Sequence, residues 1–264
     1  MSSIRPLFVV ASVGNGTGTG AASARLFGSL GYRVALISRG PEHLNKVANE
    51  INQNGGEAAS FLVSEYTPNS IRSAFSSIRS HFPASTSPLR VAVFNAGYGI
   101  WKPVEITDEE IRESLDTHVV AAFAFSREAL LEFTKNEPET ASEHGKGGST
   151  KRGTLVFTGA TAATRENATT SAFAAGKFGV RALSQSLAKE FGKQNIHVRS
   201  LISTIDGAII TGRTRGSRNG PTREIIADTH LHPDSIAKSY LHLVEQDSTA
   251  WSWEIDLRPA QEKW

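Results

Sequence analysis

The stretch Gly14-Asn15-Gly16-Thr17-Gly18-Thr19-Gly20 constrains this chain more than any other. It follows a short apolar run at 6–11 and leads into residues 21–27, which read as the start of a helix. A buried strand, a turn almost free of side chains and then a helix together present free backbone N–H groups to a diphosphate. Glycine is needed in such a turn because a Cβ would block a positive φ or the approach of the phosphate. Glycine clusters also occur in ordinary loops, so the flanking strand and helix give this one its meaning. The stretch is read as a dinucleotide site, with Gly14, Asn15, Gly16, Thr17, Gly18 and Gly20 as its contacts.

Composition acts mainly by exclusion. A length of 264 residues suits one α/β domain with a sizeable core, taken here to span 1–264. With 28 Lys and Arg against 26 Asp and Glu, there is no electrostatic case for nucleic acid or a membrane surface as partner. The chain has no cysteine, which excludes disulfides, thiol catalysis and zinc–thiolate sites and suits a reducing compartment. No metal site is expected. The run at 6–11 is too short for a signal-peptide core and lacks a cleavage site, and no stretch approaches transmembrane length. These features lead us to expect a soluble, cytoplasmic protein that acts on a small-molecule substrate.

Strand-like and helix-like segments alternate along the chain. Strands are expected at 6–11, 31–38, 58–63, 89–95, 153–158, 196–202 and 251–256. Helices are expected from residue 21, at 41–51 behind Pro41, at 68–82, at 108–133 with Thr107 as N-cap, at about 169–193 and at 233–245. The polar segment 136–152 reads as a solvated loop. Alternation in this order implies an α/β fold, a single Rossmann-like, doubly wound parallel sheet of about seven strands with helices on both faces.

At this point the residues resemble a known family, the short-chain dehydrogenases/reductases, over nearly the whole chain. Gly14, Gly18 and Gly20 match its GxxxGxG turn, with Val13 where threonine is commoner. Asn95, Ala96 and Gly97 match its NAG motif after the fourth strand, Lys177 the lysine of its YxxxK motif, and Thr211 the threonine after the sixth strand. The tail from Trp251, with Glu254 to Pro259, resembles a divergent branch. The resemblance implies cofactor contacts at Asn95, Ala96, Gly97, Lys177, Gly207, Ile209 and Thr211, a substrate lid at about 207–232, and a homodimer or homotetramer. It also implies an interface built from the two long helices, for which Val119, Phe123, Phe125, Phe178 and Leu183 are the candidate apolar residues.

The proton-transfer residues of that family are missing. Four positions before Lys177, on the same helix face, stands Phe173 instead of tyrosine. The serine position falls on Ala160, and the helical asparagine position on His118. Substitutes are available, each with a plainer alternative. Thr161 could offer a hydroxyl or merely cap the strand end. His118 could act as an acid/base near neutrality, or hold a water or a backbone carbonyl. Tyr98 could place a phenol near the cofactor or wall the pocket. Asp206 could be an acid or a loop cap. Lys177 retains a role without the tyrosine, because an ammonium can still bond two ribose hydroxyls.

Ser38 and Arg39 close the second strand where NAD-specific relatives carry an acid. A serine and a guanidinium suit a 2′-phosphate, so the expected cofactor is NADP(H), with Ser64 after the third strand on the adenine side. Four arginines (Arg213, Arg215, Arg218 and Arg223) crowd the region of the lid. They form either a solvated loop or a cover for an anionic ligand. Three functions remain open: an NADP(H)-dependent oxidoreductase that does not rely on the tyrosine, a non-redox isomerase or cyclase, and a dinucleotide-binding protein without catalysis.

Overall fold

The computed structural model describes residues 4–103, 105–139, 151–165, 167–203, 209, 211 and 229–261. Seven strands, β1 (Leu7–Ala11), β2 (Arg33–Ser38), β3 (Glu57–Leu62), β4 (Leu89–Phe94), β5 (Gly153–Thr158), β6 (Ile196–Ser203) and β7 (Glu254–Leu257), form one sheet. Their order is β3-β2-β1-β4-β5-β6-β7 and every pairing is parallel. The chain reverses its direction of travel across the sheet between β1 and β4. Ligands of open α/β sheets bind at such a point, beyond the carboxyl ends of the strands.

The helices are α1 (Thr19–Ser29), α2 (Pro41–Gln53), α3 (Pro68–His81), α4 (Asp108–Leu115), α5 (Ala121–Phe133), α6 (Ser171–Phe191) and α7 (Pro233–Glu245). Period-two alternation sorts the strand side chains between two cores. Phe8, Val10, Val34, Leu36, Val91 and Val93 pack under α1, α2 and α7, whereas Val9, Ala35, Ile37, Phe94 and Phe157 pack under α3, α5 and α6. Burial on both sheet faces explains why β1, β2 and β4 read as unbroken apolar runs.

The helix expected over 108–133 is divided. Thr107 opens α4 with a reciprocal capping box to Glu110. A π-helical turn at Asp116–Val120 then separates α4 from α5, with the Ala121 N–H reaching Asp116 O. The last strand begins at Glu254 rather than at 251. Among the residues expected at an oligomer interface, Phe125 lies elsewhere, fully buried against Phe75 and Phe94, whereas Leu183 is buried but lines the surface groove between α5 and α6. The large exposed apolar residues of α5 and α6 are Phe123, Leu131 and Phe178.

Candidate active site

β1 ends at Ala11 and the chain turns at Ser12, whose φ of 78° is left-handed. That backbone costs on the order of 1 kcal/mol for a residue with a Cβ. It is held from two sides. Ser12 N–H donates to Ile37 O at 2.7 Å, and Ser12 O accepts from Asn95 Nδ2 at 2.9 Å. Gly16 follows at a φ of 82°. A Cβ at Gly20 would stand 2.1 Å from Ser12 O, so α1 lies this close to the end of β1 only because the position is glycine.

Gly18 is the N-cap of α1, with no side-chain cap and no acidic residue in the first turn. The first N–H groups of the helix therefore lack a side-chain acceptor, and the helix dipole favours an anion beside them. Asn15 Oδ1 accepts from Thr17 N–H and Thr17 Oγ1–H, bracing the turn. Thr211 Cγ2 would lie 3.7 Å from a Cβ at Gly18, which places Thr211 against the turn. Together these groups could hold the diphosphate of a dinucleotide.

The strand ends beside the turn are tied by a hydrogen-bonded chain. Thr158 Oγ1 donates to Asn95 Oδ1 at 2.9 Å and lies 2.6 Å from Tyr240 Oη. A hydroxyl has one proton, so the buried Tyr240 is the donor to Thr158. Burial raises the Tyr240 pKa and keeps the phenol protonated. Lys177 Nζ meets the same corner, donating to Thr158 O at 2.9 Å. It would be 3.8 Å from a Cβ at Gly97, a position that is glycine and exposed. Burial lowers the pKa of Lys177 to about 8. Only one of its three donors has a protein acceptor among the described residues. A ribose hydroxyl pair could use the others.

Phe173 stands one turn before Lys177 on α6, its ring centroid 5.7 Å from Nζ. The ring stacks on Trp101 at 5.6 Å and meets the His118 ring edge-on at 5.3 Å. Ala160 belongs to the same apolar cluster, with Ile100, Ala162, Ala172 and Ala174. Hydrocarbon therefore surrounds the position one turn before Lys177.

His118, in the π-helical turn, does not fit an acid/base working near neutrality. Its Nδ1 donates to Ser114 O at 2.9 Å, and its Nε2 accepts from the Tyr98 backbone N–H at 3.2 Å. Both nitrogens are committed, and their partners select the neutral Nδ1–H tautomer. Burial, then the Lys177 charge, pull its pKa down to about 3. A Cβ at Gly176 would come within 2.6 Å of Nδ1, so that glycine makes room for the imidazole. His118 therefore ties the Tyr98 N–H, just after Gly97, to the Ser114 carbonyl.

Thr161 and Tyr98 are also engaged. Thr161 Oγ1 accepts from Arg258 Nη1 at 2.9 Å. Arg258 is in turn held by Asp256, and Glu254 forms a two-pronged pair with Arg181, which fastens the tail to α6. Tyr98 is half-buried. Desolvation and then the Glu113 carboxylate raise the pKa of its phenol, so it can donate a hydrogen bond but resists ionising.

Ser38 is buried, while Ser64 is exposed at the rim. The Arg39 guanidinium lies 5.2 Å over the Tyr66 ring. An acid does stand beside Arg39, for Glu113 Oε1 is 3.8 Å from its Nη1. Both partners are about half exposed, so the pair is worth at most ~1 kcal/mol and readily exchanges for a better anion. The Tyr66 hydroxyl is buried beside Ser12 and Ser38 without a partner of good geometry among the described residues. An unsatisfied hydroxyl beside a releasable arginine fits a polar ligand group.

Tyr66, Glu113 and Tyr240 were missed by sequence reasoning. The proximity of Tyr66 to Ser64 was the one available signal; the other two come from distant helices. Asp206, Gly207 and the arginines at 213, 215, 218 and 223, with most of the expected lid, lie outside the described residues. Ile209 is described and bridges to Leu231.

Comparison with known proteins matches residues 9–216 to the family described as short chain dehydrogenase. A Bos taurus protein named 3-oxoacyl-(acyl-carrier-protein) reductase is 25% identical over 190 residues, 72% of each chain. The solved structure of a short-chain dehydrogenase from Rhodopseudomonas palustris is 27% identical, with a TM-score of 0.73 over 96% of this chain and 98% of that one. A metagenomic short-chain oxidoreductase in complex with NADP shares the fold at 24% identity, with a TM-score of 0.74 over 99% and 100% of the two chains.

Proposed function

The chain belongs to the short chain dehydrogenase family of oxidoreductases, and on that premise we propose that it uses NADP(H) to reduce or oxidise an apolar small molecule without the family's usual tyrosine. The observation that carries this reading is Lys177. Its ammonium stands between the Thr158 carbonyl and Gly97, with Phe173 one turn away. The cofactor half of the site keeps its polar groups, whereas the substrate half is aromatic and short of proton donors.

When bound, the nicotinamide would supply or accept a hydride. The protein's own part is narrower. The Gly14–Gly20 turn and the first turn of α1 receive the diphosphate, Lys177 orients the ribose, and Ser38 and Arg39 receive the 2′-phosphate. Trp101 and Phe173 exclude water and flank an apolar substrate. Substrates that need no positioned proton suit this wall, such as an iminium or a group protonated by water.

NADPH is expected to bind more tightly than NADH, and Arg39→Ala to remove most of that preference. Charge-assisted hydrogen bonds of ~1.5–3 kcal/mol correspond to a change of roughly ten- to a hundredfold. Glu113→Gln, which frees Arg39, should instead tighten NADPH binding. Calorimetry with both cofactors checks this, and equal affinities in the unmodified protein would refute the cofactor assignment.

The outer faces of α5 and α6 support a homo-oligomer. Phe123 is 56% exposed, and a groove of about 260 Å³ runs beside it between Leu131 and Phe191. Covering this patch with a second copy removes apolar area from water. We expect a dimer or tetramer in light scattering, and a monomer after Phe123→Arg. A monomeric unmodified protein at micromolar concentration would exclude it.

A further inference from the structure

A second polar feature lies on β6, the strand next to β5, on the face of the sheet opposite α6. Ile196 and Val198 of β6 enter the core beneath α5 and α6. Alternation turns His197 and Arg199 to the other face, toward α7. Trp251, in the link between α7 and β7, stacks on His197 at 4.4 Å, and the Arg199 guanidinium lies 5.8 Å from the Trp251 ring.

Arg199 is 2% exposed. Its Nε has no hydrogen-bond partner, and no ion pair reaches it among the described residues. The neighbouring titratable groups do not compensate it. Lys151 Nζ is consumed by the carbonyls of Val244 and Gln246 at the C-terminal end of α7. Glu139, Asp247 and Glu245 act on Lys151, and burial lowers the pKa of Arg199. Burial, then Arg199 and Lys151, hold His197 neutral, with both ring nitrogens out of hydrogen-bond geometry. A buried guanidinium without an acid is costly, and buried charges are normally paired.

Arg199 also lines a cavity of about 200 Å³ at the edge of the sheet, together with Asn195, Ser248, Trp251 and Trp253 and the apolar Ile196 and Val198. We propose that the cavity beneath β6 and β7 binds a small organic carboxylate, seated on Arg199 and flanked by the two indoles. The guanidinium offers a planar fork that a carboxylate accepts through two parallel bonds. Asn195 and Ser248 add polar groups to the lining, and Trp251 and Trp253 add flat ring faces. That combination favours a carboxylate with a short apolar or aromatic body over inorganic phosphate. The site depends on the fold alone and stands whatever the reaction at Lys177.

The test uses the full chain with sodium benzoate, sodium acetate and sodium phosphate at matched ionic strength, with sodium chloride as control. Benzoate should raise the thermal midpoint saturably, acetate less and phosphate least. Arg199→Met should weaken benzoate binding roughly tenfold or more. In chloride alone that variant should be at least as stable as the unmodified protein, because an uncompensated charge has gone. If Arg199→Met does not fold, Trp253→Ala, which removes a largely exposed ring, must weaken benzoate binding. A carboxylate response no larger than that to chloride overturns the proposal. So does an unchanged response in the variants.

Discussion

Phe173→Tyr combined with Ala160→Ser is expected to give this protein ketone reductase activity well above that of the unmodified chain. Reduction of a ketone builds alkoxide charge, and a positioned general acid is typically worth about 10²–10⁴-fold. Here the ring one turn before Lys177 is packed between Trp101 and His118 and carries no proton. The neighbouring position at the end of β5 is the buried Ala160. A phenol introduced at 173 would sit near an ammonium that burial has lowered to about 8, and a nearby cation favours ionisation of a phenol. NADPH consumption with a panel of ketones, double variant beside unmodified protein, reads the result. Brisk turnover by the unmodified protein would mean that another group already supplies the proton, with Tyr98 the first to test. No gain in a variant that still binds NADPH would refute the proposed placement and favour a pocket used for non-redox chemistry.

Acid should unfold the protein earlier than its near-neutral charge balance suggests. His118 and His197 are both fully buried and held neutral, with pKa values lowered to about 3 and about 2 from 6.5. The stability they contribute is fully present above pH 6.5. It is lost as pH falls toward the folded-state values, because in that window the unfolded chain takes up protons that the folded chain refuses. Each group costs about 1.4 kcal/mol per pH unit, so the two together cost on the order of 4 kcal/mol by pH 5. That is a large part of the roughly 5–15 kcal/mol available to a domain. Urea unfolding at pH 7.5, 6 and 5 measures the slope. His118→Asn, which keeps a neutral donor and acceptor, should remove about half of it. Stability that stays flat between pH 7.5 and 5 would contradict the buried neutral state of both rings.

The sequence by itself determined what depends on neighbours along the chain. Apolar runs between turn residues marked β5 at Gly153–Thr158 and, with Pro233 opening it, α7 at Pro233–Glu245. The spacing of Phe173 and Lys177 placed both on one face of α6, because four residues make about one turn of any α-helix. The glycines announced a close approach, and Gly20 meets Ser12 O as that reading required.

Tertiary structure alone decided whatever depends on which groups meet across elements. Whether His118 titrates near neutrality or stays neutral was set by Ser114 O on one side, the Tyr98 N–H on the other, and complete burial between them. The π-helical turn at Asp116–Val120 has no signature in apolar periodicity, and the division between the buried Phe125 and the exposed Phe123 follows from how α5 packs after it. Arg39 read as a guanidinium open to phosphate until Glu113 arrived from α4, and nothing in the strand expected at 196–202 marked Arg199 for burial beside Trp251. Charge and hydrogen-bonding capacity are written residue by residue. Desolvation and pairing are properties of the packed whole, and they decide what a charge at a given position can do.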